Sequence, residues 1–320
     1  MYTEHFKFTQ FPFELPPDPE FFFATQRHNE ALAALYYAVQ RHKGFVVLSG
    51  EVGTGKTLVL QCLLATFQRP NFEFAYVFNP RLRPQEFLKF IMEDFGLPCP
   101  ADKASLLHRL YEYLIEGRRS GRTTVLLVDE AQHLCSESLE EIRLLTNLET
   151  GNDKLLQIVL AGQPELDDVL DSPNLRQLKQ RIAFRCRLEP LTEFQTAGYI
   201  RRRLQLAGAA PVLAERLFPM STLVSIHRYS RGIPRLINII CDNALIVAYA
   251  RDGTCVSTDV IDEIAEDLRL RITAIPPPDQ RKRSEPGAKA GLKLLARMCR
   301  AIERGDEIVS LNLNPRSKTS

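Results

Sequence analysis

A run of eight residues has the types and the spacing of a phosphate-binding loop. It follows the pattern G-x-x-x-x-G-K-[ST] and consists of Gly50, Glu51, Val52, Gly53, Thr54, Gly55, Lys56 and Thr57. Glycines let a backbone curl around a phosphate so that successive N–H groups point at it. We expect Lys56 to reach the β- and γ-phosphates of a nucleotide and Thr57 to place its hydroxyl on Mg²⁺.

The sequence on both sides of this loop fits that chemistry. The run 44–49 before it suits a buried parallel strand, and the run that begins at Leu58 lacks Gly and Pro and predicts a helix. A helix that begins here adds partial positive charge near the phosphate, so Leu58 joins the expected nucleotide-binding residues. The alternative is a glycine-rich strand–helix turn that binds nothing, which a second, acidic motif disfavours.

The acidic motif is the apolar run 123–130, which predicts a strand with Asp129 and Glu130 at its carboxyl end. Asp129 would hold Mg²⁺ through water, and Glu130 would orient and deprotonate an attacking water. A further buried strand is predicted over 155–161, and Gln163 follows it. Gln163 would touch the γ-phosphate or the water if that strand lies between the other two; otherwise it is a turn residue.

Arginines later in the chain offer further contacts to a nucleotide. The basic segment 175–182 predicts a helix end, followed by a strand over 184–188. Its arginines are solvated, or one of them is an arginine finger that reaches the γ-phosphate bound by a neighbouring subunit. Further on, Pro234 suits the first turn of a helix, which fixes Arg235 near that helix's N-terminus.

Periodicity and turn signals divide the chain into four parts. They are an extended N-terminal segment over 1–24 packed on the core, a nucleotide-binding domain over 25–190, a helical lid domain over 191–272, and a basic linker and tail over 273–320. The nucleotide-binding domain should also hold a strand over 72–78 and helices over 25–38, 84–95, 103–119 and 136–149. The lid should hold helices over 192–207, 214–229, 233–250 and 257–270.

The N-terminal segment is rich in Phe and Pro, and so many aromatic side chains would not be left in water. We therefore expect it to lie across the core domain. One interpretation places Phe22 or Phe23 near the base of the nucleotide, and the alternative is simple packing.

Composition fits a soluble globular protein, with 45% hydrophobic and 25% charged residues and a net charge of +2. The seven cysteines show no CxxC spacing, which argues against a disulfide framework or a zinc site. No signal peptide or membrane-length apolar run is evident, so we expect a cytoplasmic protein without a transmembrane segment.

Residues 271–320 carry 11 Lys+Arg against 5 Asp+Glu. An apolar stripe over 292–302 predicts an amphipathic helix there, suited to a protein partner, an anionic membrane surface, DNA or the protein itself.

Together these motifs resemble an AAA+ ATPase, and more narrowly the general secretion pathway protein A family. The resemblance covers about residues 1–270 and rests on the stretches 50–57, 128–132, 143–150, 160–166 and 230–238. It implies an α/β core whose five-stranded parallel sheet has the order 5-1-4-3-2, followed by a small helical lid. It also implies ATP and Mg²⁺ as cofactors, and a homo-oligomeric ring or spiral with active sites between subunits.

The resemblance also assigns roles to single residues. For the phosphate-binding loop and the acidic pair it implies the roles given above. Gln163 occupies the sensor 1 position. Arg181 corresponds to the arginine finger, with Arg176 as the alternative, and Arg235 resembles sensor 2, a lid arginine that reaches the bound nucleotide.

The function that the resemblance implies is hydrolysis of ATP to ADP and phosphate, coupled to assembly or remodelling of a partner. Related proteins serve secretion, pilus or exopolysaccharide export, so a protein partner at the inner membrane is expected. Secretion members continue into a transmembrane helix and a periplasmic peptidoglycan-binding domain, whereas this sequence carries a basic segment after the lid. Two alternatives are a DNA-binding ATPase regulator of transposition, which would use the basic tail, and an ATP-dependent scaffold that hydrolyses little.

Overall fold

The structure is a computed structural model that describes residues 1–67, 71–151 and 153–270. Its main sheet, within the described residues, has five strands: β1 (Phe45–Gly50), β2 (Phe72–Val77), β3 (Thr123–Val128), β4 (Leu156–Gly162) and β5 (Ile182–Leu188). All neighbouring strands are parallel, and their order is β5-β1-β4-β3-β2. This order confirms the expected fold and places the end of β4 between the ends of β1 and β3.

Apolar side chains cover both faces of this sheet. Every residue of β1, β3 and β4 is buried, as expected for central parallel strands. One face packs against α4 (Pro84–Asp94), α5 (Lys103–Arg119) and α6 (Ser136–Leu145). The other face packs against α2 (Gln26–Gln40) and α3 (Lys56–Thr66). Short helices α7 (Glu165–Leu170) and α8 (Arg176–Lys179) connect β4 to β5.

Helix α6 is shorter than the prediction of a helix over 136–149. It ends at Leu145, and Glu149–Thr150 then pairs with Asp153–Lys154 in a two-stranded hairpin. Lys154 Nζ donates to the carbonyl of Thr146, 3.0 Å away, at the end of the helix. This capture of a terminal carbonyl by a distant side chain is not visible in local sequence.

The helices of the lid are α9 (Glu193–Leu206), α10 (Pro211–Leu217), α11 (Met220–Ser230), α12 (Pro234–Ala250) and α13 (Thr258–Asp267). The prediction of one helix over 214–229 is wrong, since α10 and α11 replace it. The chain is extended at Pro219, which has no N–H to continue a helix from α10 and stands immediately before α11. Phe218, in the connection between α10 and α11, is 1% exposed and packs in the apolar core of the lid.

The N-terminal segment packs mainly on the lid, which differs from the expectation that it lies across the core domain. It begins with the short helix α1 (Tyr2–His5). Its aromatic residues Tyr2, Phe6, Phe8 and Phe13 are buried in the lid's apolar cluster. The backbone N–H of Thr9 donates to the Ala207 carbonyl across 2.8 Å. The lid offers these rings a deep apolar cluster, whereas the sheet faces are already covered by helices.

Within the described residues, none of the helices combines the length and the apolar character that crossing a membrane requires. The basic linker and tail over 273–320, with the predicted amphipathic helix over 292–302, lie outside the described residues.

Candidate active site

The phosphate-binding loop, residues 50–57, joins the end of β1 to the start of α3. Gly53 has a φ of +80°, and a Cβ on it would lie 2.7 Å from the Cβ of Arg235, so this position requires glycine. Thr54 Oγ1 donates to the Glu51 carbonyl across 2.8 Å. These contacts hold the loop in a curled form.

Lys56 places a buried cation in this loop. Its side-chain Nζ donates to the carbonyls of Gly50, at 2.8 Å, and Glu51, at 3.0 Å. Burial lowers the pKa of Lys56, while the nearby carboxylates of Glu130 and Asp129 act in the opposite direction. Both of its acceptors belong to the loop itself, so the ammonium can take up phosphate oxygens without leaving the loop.

Thr57 and Asp129 form the part of the site that fits a magnesium ion. Thr57 Oγ1 donates to Asp129 Oδ2 across 2.7 Å, and the Tyr76 hydroxyl donates to the same oxygen across 3.1 Å. Mg²⁺ prefers oxygen ligands and is commonly held by one or two protein groups together with waters and substrate phosphates. The described residues contain no group of three or more His, Cys, Asp or Glu that would hold a metal by itself. The site therefore fits an ion shared with a nucleotide.

Tyr76 is a site residue that the sequence analysis missed. Burial and the neighbouring Asp129 carboxylate raise the pKa of its phenol, so it stays protonated and acts as a donor. It reaches Asp129 because β2 and β3 are paired in register, with Val77 opposite Val128. A tyrosine in a β-prone stretch gives no sign of such a contact.

Glu130 has left-handed backbone angles, φ 51° and ψ 36°, which are uncommon for a residue with a side chain. The turn Ala131–His133 then folds back, so that Gln132 Nε2 donates to Glu130 Oε2 across 2.6 Å. Gln163 Nε2 donates to the same oxygen across 3.3 Å. Burial raises the pKa of Glu130, but these two hydrogen bonds and the charge of Lys56 outweigh it and lower the pKa overall. Glu130 is therefore an ionised carboxylate at neutral pH.

Arg235 connects the lid to the phosphate-binding loop. Its backbone N–H donates to the Gly53 carbonyl across 3.3 Å. Its side chain is exposed and, among the described residues, its guanidinium has no hydrogen-bond or ion-pair partner. Pro234, at the first position of α12, fixes this geometry.

Lys56, Thr57, Glu130 and Arg235 border a cleft of about 250 Å³ between the loop and the lid, whereas Asp129, Tyr76 and Gln163 do not line it. Its walls come from the N-terminal segment, the loop with the start of α3, Glu130 of the acidic pair, and the lid: residues 14–18, Val52, Gly53, Gly55, Lys56, Thr57, Leu58, Glu130, Tyr199, Arg203, Pro234, Arg235 and Asn238. Phe22 and Phe23 are not among them. Phe22 lies against His28 and Phe23 against Tyr199, so the simple-packing interpretation describes both rings.

The wall formed by residues 14–18 is fixed by buried lid side chains. Arg203, 6% exposed, donates from Nε to the Pro12 carbonyl and from Nη2 to the Glu14 carbonyl, the latter across 3.3 Å. Asn238 Nδ2 donates to the same Glu14 carbonyl across 3.2 Å. The Arg203 guanidinium also lies over the Phe21 ring, 4.6 Å from its centroid. This clamp could not be predicted from the sequence, because it joins residues far apart in the chain.

His28 supports the loop from the other side. Its Nε2 lies 3.1 Å from the Thr54 carbonyl and its Nδ1 lies 2.6 Å from Thr25 Oγ1. A neutral ring that donates from Nε2 and accepts at Nδ1 satisfies both contacts. Burial lowers the pKa of His28, which favours that neutral form.

Comparison with known proteins agrees with this arrangement. Residues 39–170 match the family model described as an AAA domain. Over 253 residues the chain is 47% identical to general secretion pathway protein A of Aeromonas hydrophila, an alignment that spans 78% of this chain and 45% of that protein. The chain therefore contains an AAA domain, as the AAA+ ATPases do.

Solved structures share the fold of this chain. Cdc6p from Pyrobaculum aerophilum has a TM-score of 0.60 at 19% identity, covering 85% of this chain and 72% of that chain. A structure of Drosophila ORC bound to DNA has a TM-score of 0.59 at 20% identity, covering 95% of this chain and 73% of that chain. At these identities the likeness concerns the fold alone. The alignment with the Aeromonas protein spans less than half of that protein's length.

Two arginines, Arg181 and Arg176, lie apart from the cleft of their own chain. Arg181 Nη1 donates to Thr146 Oγ1 across 2.7 Å and approaches the Arg143 carbonyl. Arg176 is exposed on α8. Neither borders the cleft, so any contact with a nucleotide would have to be with one held by another subunit.

Proposed function

We propose that this AAA+ ATPase hydrolyses ATP to ADP and phosphate in an Mg²⁺-dependent reaction, with Glu130 as the general base. The observation that carries the proposal is the ionised Glu130 carboxylate, which borders the same cleft as Lys56 and Thr57. A base must be deprotonated at working pH and lie at the reacting centre. Glu130 meets the first condition and borders the cleft where that centre would be.

The chain's own groups divide the work as follows. The loop amides and Lys56 bind the phosphates and offset the charge that develops on the γ-phosphoryl group. Glu130 orients a water and takes its proton as the water oxygen attacks phosphorus and the bond to ADP breaks. When bound, Mg²⁺ would supply further charge neutralisation, held by Thr57 and, through water, by Asp129. Arg235 would contact the nucleotide from the lid.

A homo-oligomer is part of this proposal. Arg181, or Arg176 in its place, would act as an arginine finger on a nucleotide bound by a neighbouring subunit, since neither borders its own cleft. Mixing inactive Lys56→Ala and Arg181→Ala chains should then restore turnover, because one kind of interface in the mixture carries both intact groups. Mixtures that stay inactive would argue against Arg181, and repetition with Arg176→Ala tests the alternative.

The work done with this energy is proposed from the related Aeromonas protein. We propose assembly or remodelling of a protein partner at the inner membrane, in secretion or a related export process, by a protein located in the cytoplasm.

A direct test of the hydrolytic function is phosphate release from ATP in the presence of Mg²⁺, compared with the same reaction in EDTA. Release that does not depend on Mg²⁺, or that is absent from the assembled protein, would refute the hydrolytic function.

DNA is the second candidate partner. The observation in its favour is the net charge of +6 over residues 271–320, a segment outside the described residues. Phosphate contacts make affinity fall steeply with salt. Affinity for duplex DNA should therefore drop as salt rises and should vanish when residues 276–320 are removed. No binding at low salt, or binding independent of that segment, would remove this function.

A further inference from the structure

Gln132 joins the acidic pair to the neighbouring strand through one side-chain amide. Its Nε2 donates to Glu130 Oε2 across 2.6 Å, and its Oε1 accepts from the backbone N–H of Gln163 across 3.0 Å. The NH₂ group of Gln132 therefore fixes the Glu130 carboxylate. The amide oxygen of Gln132 is in turn held by the backbone of Gln163. The Gln163 side chain adds a longer hydrogen bond to the same glutamate oxygen, at 3.3 Å.

The two oxygens of Glu130 are consequently unequal. Oε2 accepts both amide donors, whereas Oε1 has no hydrogen-bond partner among the described residues. A general base needs one lone pair directed to its proton source and a second contact that fixes its orientation. In Glu130, Oε2 accepts the contacts that fix the orientation of the carboxylate, and Oε1 is left to accept a proton.

We propose that Gln132 is a positioning residue for hydrolysis, which holds Glu130 by Oε2 so that Oε1 is the oxygen that takes the proton from water. This inference rests on the proposed role of Glu130 as the base. Gln132 itself does not border the cleft, so it acts through Glu130 and not on the nucleotide.

The backbone around Gln132 is arranged to permit this contact. The left-handed conformation at Glu130 and the turn Ala131–His133 bring the Gln132 side chain back toward the pair. At the end of β4, a Cβ on Gly162 would lie 2.9 Å from Gln132 Oε1, so glycine leaves room for the amide. The contact thus requires features on two strands.

Glutamine offers a donor and an acceptor together, so two substitutions separate its functions. Gln132→Glu keeps an acceptor for the Gln163 N–H but replaces the donor with a second carboxylate beside Glu130. Gln132→Met keeps the length of the side chain and removes both polar groups. Gln205→Glu, on an exposed position of α9, adds the same charge away from the site and serves as the control.

The experiment measures kcat, KM and the affinity for a fluorescent ATP analogue over a range of pH. For Gln132→Glu and Gln132→Met we expect kcat to fall about tenfold to hundredfold, the loss typical of a hydrogen bond to a charged group. KM and analogue affinity should stay within about twofold of wild type, since the phosphate contacts are untouched. For Gln132→Glu, the acidic limb of the kcat profile should also move to higher pH, because the lost donor and the added charge raise the pKa of Glu130.

Two results would overturn the inference. One is an unchanged kcat and pH profile in both variants, and the other is a loss confined to nucleotide affinity, which a purely structural role of the turn would give. Glu130→Gln keeps this test separate from the proposed function. If Glu130→Gln turns over ATP like wild type, the base itself is wrong; if it is inactive while both Gln132 variants behave like wild type, only the role of Gln132 is wrong.

Discussion

The backbone N–H of Arg235 donates to the carbonyl of Gly53 across 3.3 Å, and this contact joins the lid to the phosphate-binding loop. The Arg235 Cβ also lies where a side chain on Gly53 would have to be. The cleft is therefore closed on this side by direct contact between the loop and the lid. We therefore expect the position of the lid and the conformation of the loop to depend on each other.

Arg235→Ala should weaken ATP binding without unfolding the protein. The exposed guanidinium contributes no hydrogen bond or ion pair within the described residues, whereas a charge-assisted contact to phosphate would be lost. We expect analogue affinity to fall about tenfold, measured by fluorescence titration. Arg228→Ala, an exposed arginine on α11, is the matched control and should bind like wild type. Equal affinity in the two variants would remove Arg235 from the site.

Lys56→Ala should abolish most nucleotide binding. The ammonium is buried in the loop, and its acceptors are loop carbonyls that phosphate oxygens would replace. A loss of about a hundredfold in affinity is expected from removal of a charged donor. Calorimetric titration with ATP measures it, with the exposed Lys43→Ala as control. Wild-type affinity in Lys56→Ala would contradict the assignment of the loop.

Thr57→Val should remove the part of ATP affinity that depends on Mg²⁺. The side chain keeps its shape but loses the hydroxyl that lies 2.7 Å from Asp129 Oδ2. In EDTA, the ATP affinity of Thr57→Val should match that of wild type. In Mg²⁺, the ATP affinity of the variant should be no higher than its affinity in EDTA. Thr57→Ser retains the hydroxyl and should restore the difference. A metal-dependent increase that survives in Thr57→Val would place the ion elsewhere.

Arg203→Met should destabilise the fold by releasing the N-terminal segment from the lid. The substitution removes the Arg203 donors to the Pro12 and Glu14 carbonyls, and the Glu14 carbonyl keeps only its contact with Asn238 among the described residues. We expect a loss of about 2 kcal/mol in the free energy of unfolding, measured with urea. The adjacent, exposed Arg202→Met controls for charge and should change stability little. Equal stability of the two variants would show that the clamp contributes nothing.

His28 should make the stability of the protein depend on pH. Burial lowers the pKa of His28 below the ordinary value of 6.5, so the folded state binds its proton less readily than the unfolded chain. Its contribution is present above pH 6.5 and is lost as pH falls from there through the lowered pKa. Burial also lowers the pKa of His42 and His227, so wild type and His28→Gln must be compared directly.

In that comparison, the free energy of unfolding of wild type should fall more steeply with decreasing pH than that of His28→Gln. The exposed His108→Gln serves as control and should follow wild type. Parallel pH curves for wild type and His28→Gln would show that the ring contributes nothing to this dependence.

Local sequence was sufficient to predict the strand, loop and helix around residues 50–57 and the strand that ends before Asp129 and Glu130, because short motifs with fixed spacing define them. The roles of these residues toward a nucleotide stay predictions. The resemblance supplied the order of the strands. Gln132, Tyr76, His28 and Arg203 could not be predicted, since each acts through a contact that exists only after distant segments meet. The contact of Gln132 with Glu130 also requires the left-handed backbone at Glu130, and a glutamate at that position does not predict this conformation.

The prediction that the N-terminal aromatic residues pack across the core domain was also wrong for most of them. Their composition required burial but did not say against which domain, and the lid cluster takes Tyr2, Phe6, Phe8 and Phe13. Pro219, in contrast, is a helix-break signal that the sequence itself contains.

The measurement that tests the central claim most directly compares phosphate release and ATP affinity in wild type and Glu130→Gln. The substitution keeps the size of the side chain and removes the carboxylate that is to accept the proton. We predict that turnover falls at least a hundredfold, in line with the contribution of a general base, while ATP is bound as tightly as by wild type. Turnover at the wild-type rate in Glu130→Gln would contradict the account.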